Sequence, residues 1–188
     1  MINLESTLPT QIVLAITLAV VWTAAWIDLR TFKIPNALSV LGVTAGLVIQ
    51  TASAGIEGLG DSLAGFSMAL ALLFPLYLMG RAGAGDVKLM AAVGALLGPK
   101  QFLWALLLVI MAGGVLAIIY IGKAYHVRGA TGPFKRYARM IRFIWVTGRL
   151  QYLPPPPTEA MAERIPLAVA IAFGTTAALL WPDWNLPG

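Results

Sequence analysis

The feature that most limits the fold is a series of apolar runs, each bounded by charge. The first is Leu8 to Ile27, twenty residues without a charged side chain, closed by Asp28. Twenty helical residues reach about 30 Å, the thickness of a bilayer's hydrocarbon core. Further runs cover Ala37 to Ala54, Ser62 to Gly80, Val87 to Pro99, Phe102 to Gly122 and Ile165 to Trp181. The run from Val87 is too short for a lipid-exposed span and contains Lys88. It is either a partial helix or one that begins below the surface in a protein-lined cavity. Charged residues make up only 11% of the chain, against about 25% in soluble domains. A water-soluble globule, a disordered chain and a coiled coil are thereby excluded. No Lys or Arg precedes the first run, and Trp26-Ile27-Asp28 is no small-residue cleavage site, so it reads as a span rather than a signal peptide. The expected fold is all-α: a polytopic integral membrane protein with about six transmembrane helices, residues 1–188 forming one membrane domain.

The placement of charge orients this layout. With six spans, one face holds Arg30, Lys33, Arg81, Lys88 and every cation from Lys123 to Arg164, twelve of the thirteen basic residues. The other face holds Lys100 alone. The eight acids divide evenly, giving net charges of +8 and −3. The positive-inside rule puts the basic face in the cytoplasm and both termini outside. That implies an inner-membrane, multi-pass protein.

The longest loop of this layout, 123–164, is basic. Within it, Phe134 to Leu150 sets Lys135, Arg139 and Arg142 at helical spacing beside Phe134, Ile141, Ile144 and Trp145. This reads as an amphipathic helix in the membrane interface, with its cations toward anionic lipid headgroups. Direct docking of a substrate is the sharper alternative. Pro154 to Pro157 would form a stiff spacer. The single histidine, His126, falls in this loop and is given no catalytic role. There is no cysteine, hence no thiolate nucleophile or thiolate metal site. No metal and no cofactor are expected, and nothing points to nucleic acid.

Ionisable groups at membrane helices are costly and tend to be functional. Two aspartates stand at cytoplasmic ends of spans. Asp28 closes the first, in Ile27-Asp28-Leu29-Arg30-Thr31-Phe32-Lys33-Ile34-Pro35-Asn36, and Asp86 opens the fourth, in Gly83-Ala84-Gly85-Asp86-Val87-Lys88. Each has a plain structural explanation. Asp28 could be a polar stop beside Arg30 and Lys33, and Asp86 could be a helix N-cap. As a pair they suggest more. Two carboxylates held close share a proton, so one can act as general base on water and the other as general acid on a carbonyl. Gly83 and Gly85 would admit close backbone approach. Pro35 would fix the turn into the second span and Asn36 would cap it. Lys88 lies about 200° round a helix from Asp86, so a direct pair is not expected; it would orient a loop or snorkel to the interface.

At these residues the chain resembles the type IV prepilin peptidases. Gly83-Ala84-Gly85-Asp86 with the following Val87-Lys88 is similar to their GxGD motif, and Asp28 through Ile34-Pro35-Asn36 to their first catalytic motif. The resemblance covers roughly Thr10 to Tyr120. It implies a membrane aspartic endopeptidase that removes the basic leader of prepilins or pseudopilins at the cytoplasmic face, with Asp28 and Asp86 as the catalytic pair. The larger, methylating members carry an N-terminal domain with two CxxC pairs. This cysteine-free chain resembles instead the short form acting on Flp-type or archaeal-like substrates, for which no N-methylation is expected.

Three other functions compete. A small transporter or ion pathway would use the aspartates as proton or cation sites; no ionisable residue in the outer half of a span continues such a path. A presenilin-like intramembrane protease would have tyrosine before its first aspartate and a Pro-Ala-Leu motif, whereas Ile27 precedes Asp28 and that motif is absent. A non-catalytic assembly scaffold would be indifferent to loss of either carboxylate. One sequence leaves the oligomeric state open.

Overall fold

The computed structural model describes residues 8–80, 82–128, 134–148 and 165–181. Among these the regular structure is entirely helical: α1 (Leu8–Thr31), α2 (Asn36–Leu78), α3 (Ala84–Arg128), α4 (Phe134–Thr147) and α5 (Leu167–Leu180). Three stretches are long and apolar enough to cross a membrane: Thr10–Thr31, Asn36–Leu78 and Ala84–His126. By compactness the chain divides into two units, Met1–Gly113 with Pro166–Gly188, and Gly114–Ile165.

Two of the long helices are broken inside. In α2 the backbone leaves helical geometry at Ala54 and at Gly55, whose φ of 60° and ψ of −135° suit only glycine. In α3 it does so at Gly98, with φ 76° and ψ 174°. Pro99 follows, a residue preorganised to restart a helix and without an N–H to waste. The breaks coincide with the ends read from sequence for the second and fourth spans. The third span, however, starts earlier than its apolar run. Ile56 to Asp61, expected as a loop, are helical. Glu57 and Asp61 end the hydrophobicity, but charged side chains at an exposed helix end do not end the helix.

Contacts in the first unit fix the direction of each segment. A Cβ on Gly42 would lie 2.9 Å from that of Ala92, and one on Gly46 would lie 2.6 Å from the Ala95 carbonyl oxygen. The start of α2 therefore runs parallel to the start of α3. Ser62 Oγ donates to the same Ala95 carbonyl at 2.8 Å, and Gly65 lies against Gly94, so past Gly55 the chain returns antiparallel. Trp22 Nε1 donates to Thr176 Oγ1 at 3.2 Å, while Asp28 reaches Ala168, so α5 runs antiparallel to α1. Gly174 on Val109 and Ala170 beside Gly113 make α5 antiparallel to the second part of α3 as well. The small residues at these crossings let helices approach without a Cβ between them, the packing that replaces hydrophobic drive where the solvent is lipid.

The first part of α3 is the centre of this unit. Every residue from Leu89 to Gly98 is buried. Helices hydrophobic on all sides belong in a protein interior. Fourteen residues, 84–97, span only about 21 Å. A protein wall removes the need to match the hydrocarbon thickness, which answers how so short a segment is accommodated.

In the second unit, α3 continues to Arg128, so Lys123 and His126 lie on a helix and not in the loop assigned to them. His126 is exposed. The amphipathic segment forms α4 but stops at Thr147, three residues before Leu150. Gly148, at φ 66°, closes it by donating to the Ile144 carbonyl at 2.8 Å. Its helical form groups positions 139 and 142 on one face and 141 and 145 on a neighbouring one. Arg139, Arg142, Ile141, Ile144 and Trp145 are all exposed. Pro154 to Pro157 fall outside the described residues.

Candidate active site

The polypeptide around Asp28 is held by its own backbone. α1 ends when Phe32 N–H donates to the Asp28 carbonyl at 2.9 Å. Thr31 Oγ1 lies 2.9 Å from the Ile27 carbonyl and 3.1 Å from that of Lys33. Phe32 adopts φ 50°, the left-handed conformation that usually falls to glycine after a helix. The chain then turns, and Pro35, at φ −61° and ψ 132°, stands at the N-cap of α2. Asn36 does not cap that helix: it is already the first helical residue, and no side chain makes a cap bond there. Its Oδ1 instead accepts a 3.0 Å hydrogen bond from Lys88 Nζ. Lys88 thus neither pairs with Asp86 nor only snorkels. It ties the start of α3 to the start of α2.

Asp86 is likewise not an N-cap. α3 begins two residues earlier, at Ala84, which puts Asp86 on the third helical residue with Gly83 at the cap. From there its carboxylate reaches back to the Gly83 N–H. That is the acidic half of a capping box, satisfying an amide left over at the helix start. The glycines serve different contacts. A Cβ on Gly83 would stand 2.7 Å from Asp86 Oδ2, so this glycine makes room for the carboxylate itself. A Cβ on Gly85 would stand 3.1 Å from the Cβ of Ile34. Gly85 therefore lets the turn after α1 press against α3, side chain to backbone rather than backbone to backbone.

Asp28 is 6% exposed. Its Oδ2 accepts a 3.2 Å hydrogen bond from Ala168 N–H in the first turn of α5. Sequence reasoning missed this partner. A weak signal was present: Pro166 precedes the last apolar run and has no side-chain acceptor for the amides of the helix it opens.

The structure brings Asp28 close enough for its charge to bear on the Asp86 carboxylate. The remaining residues singled out by sequence gather around them. Gly83 and Gly85 flank Asp86, while Pro35, Asn36 and Lys88 join the two helix starts. Two carboxylates bonded to backbone amides, Asp28 buried and Asp86 half-buried, can handle protons on a water and a carbonyl. Among the described residues no group of three or more His, Cys, Asp or Glu side chains is arranged to hold a metal ion.

No curated protein and no solved structure gives a significant match to the chain. A family model does. Residues 15–118, more than half of the 188, match the type IV leader peptidase family. The matched stretch contains both aspartates and every residue of the two motifs. A membrane protein with these paired carboxylates, matched over that length, belongs to the type IV leader peptidase family.

Proposed function

We propose that the protein is an aspartic endopeptidase that removes leader peptides from prepilin-like substrates, Flp-type pilins or pseudopilins, at the cytoplasmic face of the inner membrane. The observation that carries this reading is the meeting of Asp28 and Asp86 at one end of the first unit, inside the segment that matches the family. The pair shares one proton. The ionised carboxylate takes a proton from water as its oxygen attacks the scissile carbonyl carbon. The protonated one gives its proton to the carbonyl oxygen. Collapse of the tetrahedral diol breaks the C–N bond. A proton passes to the leaving nitrogen, and the pair is again singly protonated.

The six helical segments, 8–31, 36–53, 56–78, 84–97, 99–128 and 167–180, are read as six crossings. Their alternating directions support this. So does the charge asymmetry, from which the aspartates are read as lying on the basic, cytoplasmic face. α4 is read as lying in the interface against anionic headgroups. A prepilin leader is itself basic and is repelled by that face, so docking relies on the substrate's apolar helix lying along the spans.

The test is leader removal from a co-expressed prepilin by Asp28→Asn and Asp86→Asn, each made alone. Loss of cleavage in both, with the proteins still membrane-inserted, is the expected result. Normal cleavage by either variant refutes the shared-proton mechanism, and normal cleavage by both returns the chain to a transporter or scaffold.

A further inference from the structure

The family match ends at residue 118, yet one of the two carboxylates is held by a helix that starts at residue 167. We infer that the first turn of α5 is a positioning element of the active site, orienting Asp28 through the Ala168 N–H; this rests on the catalytic pair proposed above. Three observations meet here. Asp28 Oδ2 lies 3.2 Å from the Ala168 nitrogen, and both groups are buried. Ala168 is the second helical residue of α5, one of the amides that no intrahelical carbonyl can satisfy. An N-cap side chain normally accepts from that position or the next. In this helix the N-cap is Pro166, which makes no side-chain cap bond. The amide is thus left for an acceptor from another helix, and Asp28 is that acceptor.

The register of α5 on α1 keeps the bond in place. Two turns further along, Trp22 donates to Thr176 and stacks edge-on against Phe173, with ring centroids 5.1 Å apart. Gly174, pressed against Val109, stops α5 from sliding on its other side. α5 therefore sets the plane of the Asp28 carboxylate, leaving Asp86 to be set by its own helix.

The test compares kcat and KM for a prepilin-like peptide, using the full-length protein in detergent micelles. Ala168→Pro removes the donor but adds ring atoms at a buried position, within the first turn where proline is best tolerated, so its thermal stability is measured beside kcat. It should lower kcat about tenfold, as expected for one charge-assisted hydrogen bond, and leave KM unchanged. Leu167→Pro shifts the proline by one residue, keeps the Ala168 N–H, and should retain wild-type kcat. Pro166→Ser guards against a folding defect, since serine favours the helix start. Its hydroxyl competes with Asp28 for the same amide, so kcat should fall several-fold with thermal stability intact. Equal losses in Leu167→Pro and Ala168→Pro, or an unchanged kcat in Pro166→Ser, overturn the inference. If that happens while Asp28→Asn is inactive, only the role of α5 fails. An active Asp28→Asn instead removes the catalytic pair itself.

Discussion

Asp28 and Asp86 are chemically the same group, held in opposite ways. Asp86 bonds to an amide three residues before it, at the start of its own helix. Asp28 stands in the last turn of its helix and bonds to an amide 140 residues further along. One carboxylate is placed by local backbone geometry, the other by tertiary packing. Damage to Asp86 should thus come from its immediate neighbours, and damage to Asp28 from elsewhere in the chain.

The largest effect should erase the contrast. Asp28→Asn and Asp86→Asn are each expected to reduce leader cleavage about 10³-fold or more, since a shared proton needs both partners. Quantitative immunoblotting of processed and unprocessed prepilin measures this. A hundredfold difference between the two variants would mean that one carboxylate works alone. Next is Gly83→Ala. The new Cβ would stand 2.7 Å from Asp86 Oδ2, so the carboxylate must swing away. Activity should drop about tenfold with little change in thermal stability, because the obstructed atom is the far end of a half-buried side chain. Unchanged activity would show that Asp86 is not positioned locally. Lys88→Met comes third. It removes an exposed 3.0 Å bond to Asn36, worth about 1 kcal/mol or less, and should lower kcat only a few-fold. The smallest effect belongs to Phe32→Gly. Relief of the left-handed strain, about 1 kcal/mol, is offset by glycine's chain entropy, so the midpoint of thermal unfolding should move little. A large fall would show that the exposed Phe32 ring packs on something that the strain sustains.

The same contrast explains what could be read from the sequence. Apolar runs are local signals, and they located four of the six helical segments to within a few residues; the third starts earlier and the fifth ends later than its run. Asp86 with Gly83 and Gly85 was visible for the same reason. The extension of helix through Glu57 and Asp61 was not, because hydropathy reports the membrane's edge and not the helix's. The cap assigned to Asn36 went wrong through a tertiary competitor: its side chain is taken by Lys88, 52 residues away. Ala168 carries no functional atom in its side chain at all. What it contributes is a backbone amide, which every residue but proline has, so only the fold could reveal it.

The 140-residue separation between Asp28 and its amide donor also sets an order of events during synthesis. By the time residue 118 leaves the ribosome, both aspartates and the whole family-matching stretch exist, but the donor does not. A chain arrested anywhere before Pro166 would hold Asp86 in place and leave Asp28 unoriented. On the proposed role of α5, a chain that has not yet made this helix should cut substrates more slowly than one that has, so the timing of synthesis bears on the geometry of one carboxylate.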